Sequence, residues 1–306
     1  MRAIPRRQGL DNRRGILLML LAMLMFSLED ALIKAMSQGW STAQILFVIG
    51  LGGGAILVLL ARRNGQPILD RANLHWAVLV RSTCEGIGTI LFVTALATAP
   101  LGLASAIIQA APLMLVAGSA VLLGEPVGWR RWSAVILGFA GVLLIVRPWG
   151  DAFEPALLLA LAATAALAGR DLVTRRVPAG VGTFALSVWA YAAVLAAALV
   201  AFALDPRLVP LTRADLGPVV ALLFLSTVGY YAITAAMRVG EVSVIAPFRY
   251  SRLVFATALG FMAFGEVPDT ASMAGAALII GSGIYAMLRE ARARRRPVAS
   301  AVRVSR

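Results

Sequence analysis

The sequence predicts an all-α polytopic membrane protein, with ten transmembrane helices arranged as two inverted five-helix repeats. Hydrophobic residues make up 60% of the 306 residues, charged residues make up 14%, and the mean hydropathy is +0.85. Soluble domains are about half apolar and about a quarter charged. The apolar residues also form blocks of about 20 residues, the length that a helix needs to cross about 30 Å of hydrocarbon. Composition and block length together exclude an ordinary soluble protein.

Ten such blocks follow one another along the chain, separated by short connections. The first block follows basic residues and is too long for the apolar core of a cleavable signal, so we interpret it as a retained span. Glycines recur inside several blocks, as in the run 50–54, and small residues let membrane helices approach closely. The predicted spans are 15–36, 41–61, 76–98, 101–123, 132–147, 155–174, 182–204, 217–238, 242–264 and 270–288.

The two halves of the chain match at a constant offset of 141 residues. Asp30 corresponds to Asp171, Lys34 to Arg175, and the pair Gly124-Glu125 to Gly265-Glu266. Each copy holds five predicted spans, and an odd number inverts the second copy in the membrane, as in many secondary transporters. We therefore divide the chain into a first repeat with a basic tail (1–147), a second repeat (148–288) and a basic cytoplasmic tail (289–306).

The basic residues indicate the orientation. Most Lys and Arg residues outside the spans fall on the side that holds both termini, whereas the opposite side has only Arg147, Arg207 and Arg213. The positive-inside rule then places both termini in the cytoplasm. The net charge of +13 is thus explained by topology and contact with the lipid surface, not by nucleic acid.

Charged residues inside membrane spans are costly, and they mark either a transport pathway or an internal ion pair. Arg81 and Glu85 are four residues apart and can pair on one helix face. The pair could be structural, or Glu85 could bind a substrate ammonium or a coupling proton. The other charges within the predicted spans are Glu29, Asp30, Lys34, Arg170, Asp171, Arg249 and Arg252.

Arg249 and Arg252 flank Tyr250 near the middle of the ninth span. Two arginines at that depth require carboxylate partners or a wet cavity, and Glu85, Glu29 and Asp30 are the available anions. A substrate carboxylate would also match a guanidinium fork. We expect a cavity lined by these residues, with a purely structural network as the alternative. Pro247 is expected to break the helix and free backbone carbonyls.

The two copies carry equivalent acid–base pairs, Asp30 with Lys34 and Asp171 with Arg175, each four residues apart. In inverted repeats these pairs lie toward opposite sides, which suits alternating gates that would also involve Glu29. The alternative is that they are charges at helix ends that reach the interface.

Polar and aromatic side chains within spans are further cavity candidates, although such aromatics more often serve packing. These are Gln109, Pro112, Trp189, Tyr191, Tyr230 and Tyr231. Catalytic motifs are missing: His75 is the one histidine and lies in a loop, and Cys84 is the one cysteine. The sequence thus predicts no enzyme, no metal site and no cofactor.

The segment 95–148 resembles the EamA repeat of the drug/metabolite transporter superfamily. The resemblance rests on Pro112 in the fourth span, on Leu123-Gly124-Glu125 at its end, and on a glycine-bearing fifth span that closes near Arg147-Pro148. The second copy ends its fourth span in Phe264-Gly265-Glu266. Leu253 stands where the first copy has Pro112, so the two halves are not expected to move identically.

The resemblance implies secondary transport of small metabolites through a central cavity between the repeats, in a bacterial inner membrane. We expect export of amino acids, in the branch that includes aromatic amino-acid exporters, because groups of both signs suit a zwitterion. Uptake of a vitamin or a nucleoside-like metabolite is the alternative, and a membrane-embedded lipid enzyme or a scaffold is disfavoured. The expected partners are the small-molecule substrate and the bilayer. We expect the protein to be a monomer.

Overall fold

The structure is a computed structural model that describes residues 11–149, 153–178, 180–239 and 241–294. Every regular element in these ranges is a helix. Nine helical stretches within them are long and apolar enough to cross a membrane, which confirms the predicted all-α polytopic membrane protein. The basic segments 1–10 and 295–306, assigned above to the membrane surface, lie outside the described residues.

The first half of the chain contains seven α-helices. A π-helical turn over Ile49–Gly53, at the glycine run, joins the second helix to the third within one span. The fourth predicted span is interrupted at Gln109 and Ala110, between the fifth and sixth helices. The helices are α1 (Asn12–Met36), α2 (Thr42–Val48), α3 (Gly54–Arg63), α4 (Trp76–Thr98), α5 (Leu101–Ile108), α6 (Ala111–Leu123) and α7 (Trp129–Val146).

The second half contains six α-helices. A 3₁₀ segment over Ala246–Tyr250, with Pro247 in its first turn, divides the predicted span 242–264. Pro247 breaks the helix there, as the sequence predicts. The divided span is not among the nine long stretches, so the count of ten stays a prediction. The helices are α8 (Pro155–Thr174), α9 (Thr183–Leu204), α10 (Leu216–Val239), α11 (Val242–Ile245), α12 (Ser251–Phe264) and α13 (Thr270–Arg294).

Helix packing connects the two halves through equivalent contacts. Helix α4 packs along α8, and α1 packs along α10. Adding 141 to α4 gives the region of α10, and adding 141 to α1 gives the region of α8. Exchanging the two repeats therefore converts the contact between α4 and α8 into the contact between α10 and α1. The span-borne charges of α1, α4 and α8 consequently lie between the two halves.

The last helices of the two repeats, α7 and α13, cross at glycines. A β-carbon built on Gly141 would lie 2.6 Å from the carbonyl oxygen of Gly275, and one built on Gly275 would lie 2.6 Å from that of Gly141. Only residues without a side chain allow this backbone approach, which is a common way to join membrane helices.

The recurrent Gly-Glu motif ends a helix in the same way in both halves. Gly124 and Gly265 have φ angles of 66° and 68°, in the left-handed region that glycine adopts readily. The amide of the following glutamate donates back to the helix, from Glu125 to Ser119 at 3.2 Å and from Glu266 to Gly260 at 3.1 Å. This hydrogen bond closes the helix end after the left-handed glycine, and it holds each glutamate there.

Candidate functional site

A bidentate ion pair links the first helix of the first repeat to the divided ninth span. Arg252 donates to the Asp30 carboxylate from Nη2 at 2.7 and 3.0 Å and from Nε at 3.2 Å. Its guanidinium also lies over the rings of Phe26 and Phe92, 5.5 and 5.8 Å from their centroids. The Asp30 side chain is only 5% exposed. The predicted carboxylate partner of Arg252 is thus Asp30, and this pair is a packed structural contact.

A second group of charges, which we call the central ionic site, consists of Arg81, Glu85, Arg170, Asp171 and Arg249. The Glu85 carboxylate accepts from Arg170 Nη1 at 3.0 and 3.1 Å, and Arg170 Nε donates to Asp171 at 2.8 Å. The predicted pair of Arg81 with Glu85 is present, but at 3.8 Å it is the longer contact. Arg170 therefore holds Glu85 in place of a substrate ammonium.

Hydrogen-bond donors exceed acceptors in this site. Arg81 Nε and Nη1 are buried, and neither has a hydrogen-bond partner within the described part of the chain. Unsatisfied buried donors are costly. The site also has three guanidinium groups and two carboxylates, which leaves a formal excess of one positive charge. An anionic group entering the site would meet both needs.

Arg249 is the guanidinium that remains available. Its side chain is exposed although it lies near the middle of the divided span. It makes no ion pair with any residue that the structure describes, and Arg170, Asp171 and Arg252 act on it only through longer-range electrostatics. Gln109, at the break in the fourth span, donates from Nε2 to the Arg249 carbonyl at 2.8 Å. This carbonyl is one that the helix break frees, as the sequence predicts.

Hydroxyl groups of α9 and α10 lie beside the first helix. Tyr191 and Ser226 are 3.2 Å apart, and Ser187 and Tyr230 are 2.5 Å apart. The Ser226 hydroxyl is placed to donate to the Glu29 carboxylate. In the ranges given above, no cation lies within ion-pair distance of Glu29, although Arg252 acts on it electrostatically. Glu29 is therefore a span carboxylate that no ion pair within the described ranges neutralises.

The predicted pairs of Asp30 with Lys34 and of Asp171 with Arg175 do not form. Lys34 Nζ instead bonds Glu266 at 2.8 Å, and Arg175 bonds Glu125 at 2.8 Å. A partner four residues away on the same helix competes with partners on other helices, and the packing between halves brings the latter closer. All four residues are ion-paired, but Asp30, Lys34 and Arg175 pair across the repeats, whereas Asp171 pairs with Arg170 on its own helix.

Two other candidates occupy positions that do not support contact with a ligand. Tyr250 is 4% exposed and packs against Gly283 of α13, and its hydroxyl has no hydrogen-bond partner among the described residues. Trp189 donates from Nε1 to the carbonyl of Ile68 at 3.1 Å and so fastens a loop.

A cavity of about 290 Å³ opens beside Glu266, lined also by Glu154, Thr257, Arg147 and Asp269. Burial raises the pKa of the Glu154 carboxyl, and nearby Lys34 opposes that effect. Hydrogen bonds from Arg147 and from Ser272 hold the pKa of the Asp269 carboxyl below its ordinary value. The cavity lies at one end of the bundle, away from the central ionic site.

Some functional residues were not identified from the sequence. Arg170 is among the charges within the predicted spans, and its depth in the membrane, similar to that of Glu85, is the signal that could have paired the two residues. Ser226 and Ser187 carry no such signal, because hydroxyls are common in membrane helices and bond their own backbone. Their role follows only from the neighbours that the fold supplies.

A model of the EamA-like transporter family matches residues 13–147 and, separately, residues 154–288. The chain belongs to this family. The resemblance noted from its motifs is thereby confirmed. Because the family consists of transporters, this EamA-like protein is a transporter and not an enzyme, and it acts on a small molecule from within a membrane. The amino-acid exporter branch stays a prediction.

Curated relatives of this EamA-like protein span nearly its whole length. It is 28% identical to a riboflavin transporter of Rhizobium johnstonii over 92% of this chain and 94% of the relative. It is 27% identical to a pseudopaline exporter of Pseudomonas aeruginosa over 88% and 94%. It is 23% identical to an S-adenosylmethionine uptake transporter of Rickettsia bellii over 91% and 95%. These relatives differ in both substrate and direction.

A solved crystal structure matches this EamA-like protein with a TM-score of 0.61 and 23% sequence identity. The match covers 91% of this chain and 98% of that one. At this identity the match establishes the fold alone, and it covers both halves together.

Proposed function

We propose that this EamA-like protein exports amino acids or similar small metabolites across a bacterial inner membrane by alternating access. The substrate binds between the two repeats, beside the central ionic site. The observation that supports this proposal is Arg249, an exposed guanidinium deep in the bundle that has no ion-pair partner among the described residues. An unpaired arginine at such depth is costly unless a ligand or water compensates it.

The substrate carries a carboxylate and a cationic group. Arg249 receives the carboxylate, since a guanidinium fork binds carboxylates with two parallel hydrogen bonds. Glu29 receives the cationic group, because Glu85 is already held by Arg170. Arg252 interacts electrostatically with both Glu29 and Arg249 and so lies near each of them. Gln109 and Tyr230 border the same region, and Arg81 supplies a second positive charge.

The chain works as a monomer with both termini in the cytoplasm. The orientation rests on the excess of Lys and Arg on one side of the predicted spans. The bound substrate reaches each side in turn as the two inverted repeats rock against each other.

The second candidate is uptake of a vitamin or a nucleoside-like metabolite. It is favoured by relatives named for riboflavin transport and for S-adenosylmethionine uptake. Aromatic rings that border the region, such as Tyr191 and Tyr230, would suit a planar substrate.

Counterflow into proteoliposomes distinguishes the candidates. Proteoliposomes that contain the purified protein are loaded with unlabelled amino acids, riboflavin or S-adenosylmethionine. Uptake of the same compound in labelled form is then followed. We expect amino acids to exchange, and we expect Arg249→Gln and Glu29→Gln each to reduce exchange by at least about tenfold, the effect of losing one charge-assisted hydrogen bond.

Arg207→Gln is the matched control, because Arg207 is an exposed arginine in a connecting loop. It should exchange amino acids at the wild-type rate. Exchange of riboflavin or S-adenosylmethionine without amino-acid exchange would overturn the proposed substrate. Normal exchange by Arg249→Gln would overturn the proposed site.

A further inference from the structure

Two ion pairs that join the repeats are equivalent under the 141-residue offset. Lys34 and Arg175 occupy the same position in the two copies, and so do Glu125 and Glu266. The first pair is Lys34 with Glu266, and the second is Arg175 with Glu125. In each pair, the end of the first span of one repeat binds the loop after the fourth span of the other repeat. The two contacts are thus one contact made twice.

The two pairs lie at opposite ends of the bundle. Glu154, which directly precedes α8, interacts electrostatically with Lys34 and Glu266. Arg175 directly follows the last residue of α8. Helix α8 has 20 residues, which at 1.5 Å per residue separates its two ends by about 30 Å. We call these ends the Lys34 end and the Arg175 end.

The environments of the two pairs differ sharply. At the Lys34 end, the side chains of Lys34 and Glu266 are 12% and 17% exposed. Lys34 Nζ also donates to the Ala99 carbonyl at 2.5 Å, and Glu266 accepts from the Leu101 amide at 2.7 Å. These bonds tie α1 and the loop after α12 to the turn between α4 and α5. At the Arg175 end, Arg175 and Glu125 are 44% and 45% exposed and share one hydrogen bond of 2.8 Å.

Equivalent residues in unequal environments indicate that the two repeats are captured in different conformations. In an inverted-repeat transporter, exchanging the conformations of the repeats converts one access state into the other. That exchange would bury the Arg175–Glu125 pair and expose the Lys34–Glu266 pair. A buried and hydrogen-bonded pair holds its elements together, whereas an exposed pair contributes little.

We infer that the two pairs are alternating latches that position the helices during transport. Lys34 and Glu266 hold the elements at the Lys34 end together in the present conformation, so the Arg175 end, with its exposed pair, is the end from which the substrate enters in this conformation. Arg175 and Glu125 hold the Arg175 end closed in the opposite conformation. This inference rests on the proposed transport by alternating access, but it does not depend on the substrate.

Sided labelling of a central cysteine tests the latches. In a Cys84→Ser background, Gln109→Cys places a thiol beside Arg249, and a membrane-impermeant maleimide is applied to right-side-out or inside-out vesicles. We expect labelling from the Arg175 end in the protein with both latches intact. Glu266→Gln should raise the labelling rate from the Lys34 end by roughly tenfold, as expected when a conformer populated at a few per cent becomes a major one.

Glu125→Gln should have the opposite effect, because it weakens the conformation that closes the Arg175 end. Labelling from the Lys34 end should then fall or stay at its basal rate. Asp205→Asn is the matched control, since Asp205 is a half-exposed carboxylate at the Lys34 end that pairs with Arg207 in its own loop and so does not join the repeats. It should leave both labelling rates unchanged.

The exchanged pair Lys34→Glu with Glu266→Lys keeps an ion pair in place and should return labelling to the basal pattern. This double variant also separates loss of the latch from loss of folding. The inference is overturned if Glu266→Gln and Glu125→Gln change labelling from the two ends in the same way, or if neither changes it. Labelling needs no substrate, so a failure of amino-acid exchange would overturn the proposed substrate and leave the latches standing.

Discussion

Removing either partner of the Asp30–Arg252 pair should strongly destabilise the protein. Three hydrogen bonds of 2.7 to 3.2 Å join the two side chains, which are 5% and 18% exposed. Breaking a buried ion pair on one side leaves an uncompensated charge and costs about 3–5 kcal/mol. Total stabilities are typically about 5–15 kcal/mol. Asp30→Asn should therefore remove a large fraction of the free energy of unfolding.

Arg252→Gln should cost at least as much, because it also removes the contacts of the guanidinium with Phe26 and Phe92. The double variant Asp30→Asn with Arg252→Gln leaves no unpaired charge. It should be more stable than the sum of the single effects predicts, by about 2 kcal/mol, within the range of coupling between contacting residues. This coupling distinguishes a true pair from two independent losses.

The assay is unfolding by sodium dodecyl sulfate in mixed micelles, followed by tryptophan fluorescence and extrapolated to zero denaturant. Asp205→Asn is the control, since Asp205 pairs with Arg207 on the surface and its loss should leave the unfolding curve unchanged. A loss below about 1 kcal/mol for Asp30→Asn, or additive single effects, would refute the argument that this pair is structurally essential.

Three further perturbations have expected outcomes. Gly265→Ala should lower the unfolding free energy by about 1–2 kcal/mol in the same assay, because alanine resists the left-handed conformation at φ 68°. Gly141→Leu should prevent the close crossing of α7 and α13, which would show as loss of the folded monodisperse peak in size-exclusion chromatography. Because the pKa of Asp269 is lowered in the folded protein, the ionised Asp269 stabilises the fold at pH values above the ordinary carboxyl pKa. This stabilisation is lost as the pH falls through the lowered pKa. The unfolding temperature of the wild type should thus fall more steeply below about pH 4 than the unfolding temperature of Asp269→Asn.

The architecture was predictable because its signals are local or repetitive. Apolar blocks of membrane length give the spans, and a constant offset gives the duplication. The effect of Pro247 was also predictable, since proline cannot continue the hydrogen-bond ladder of a helix. The structure places the 3₁₀ segment at that residue and frees the Arg249 carbonyl, which Gln109 then satisfies.

The choice of ion-pair partners was not predictable from the sequence. Spacing of four residues identifies charges that share a helix face, and for Arg81 and Glu85 it identifies a real contact. For Asp30 the same spacing points to Lys34, but the partner is Arg252, which is 222 residues away. Sequence spacing identifies neighbours on one helix. A charged side chain between packed helices instead pairs with the opposite charge that is nearest in the folded structure, which can lie on another helix.

The breaks in the fourth and ninth spans show that the duplication, more than any single motif, determines where the proposed binding region lies. The first half breaks at Gln109 and Ala110, which the 141-residue offset places at 250 and 251, and the second half breaks over Ala246–Tyr250, so the two breaks overlap at one position. The prolines responsible are not equivalent, since Pro112 follows the first break and Pro247 lies within the second. Two different sequence solutions thus produce a break in the same part of the span in each copy. The Gln109 amide joins the two breaks, so the interrupted backbone of both repeats meets at Arg249. A break in the same part of the span, reached by different residues, is what a binding region shared between inverted halves requires.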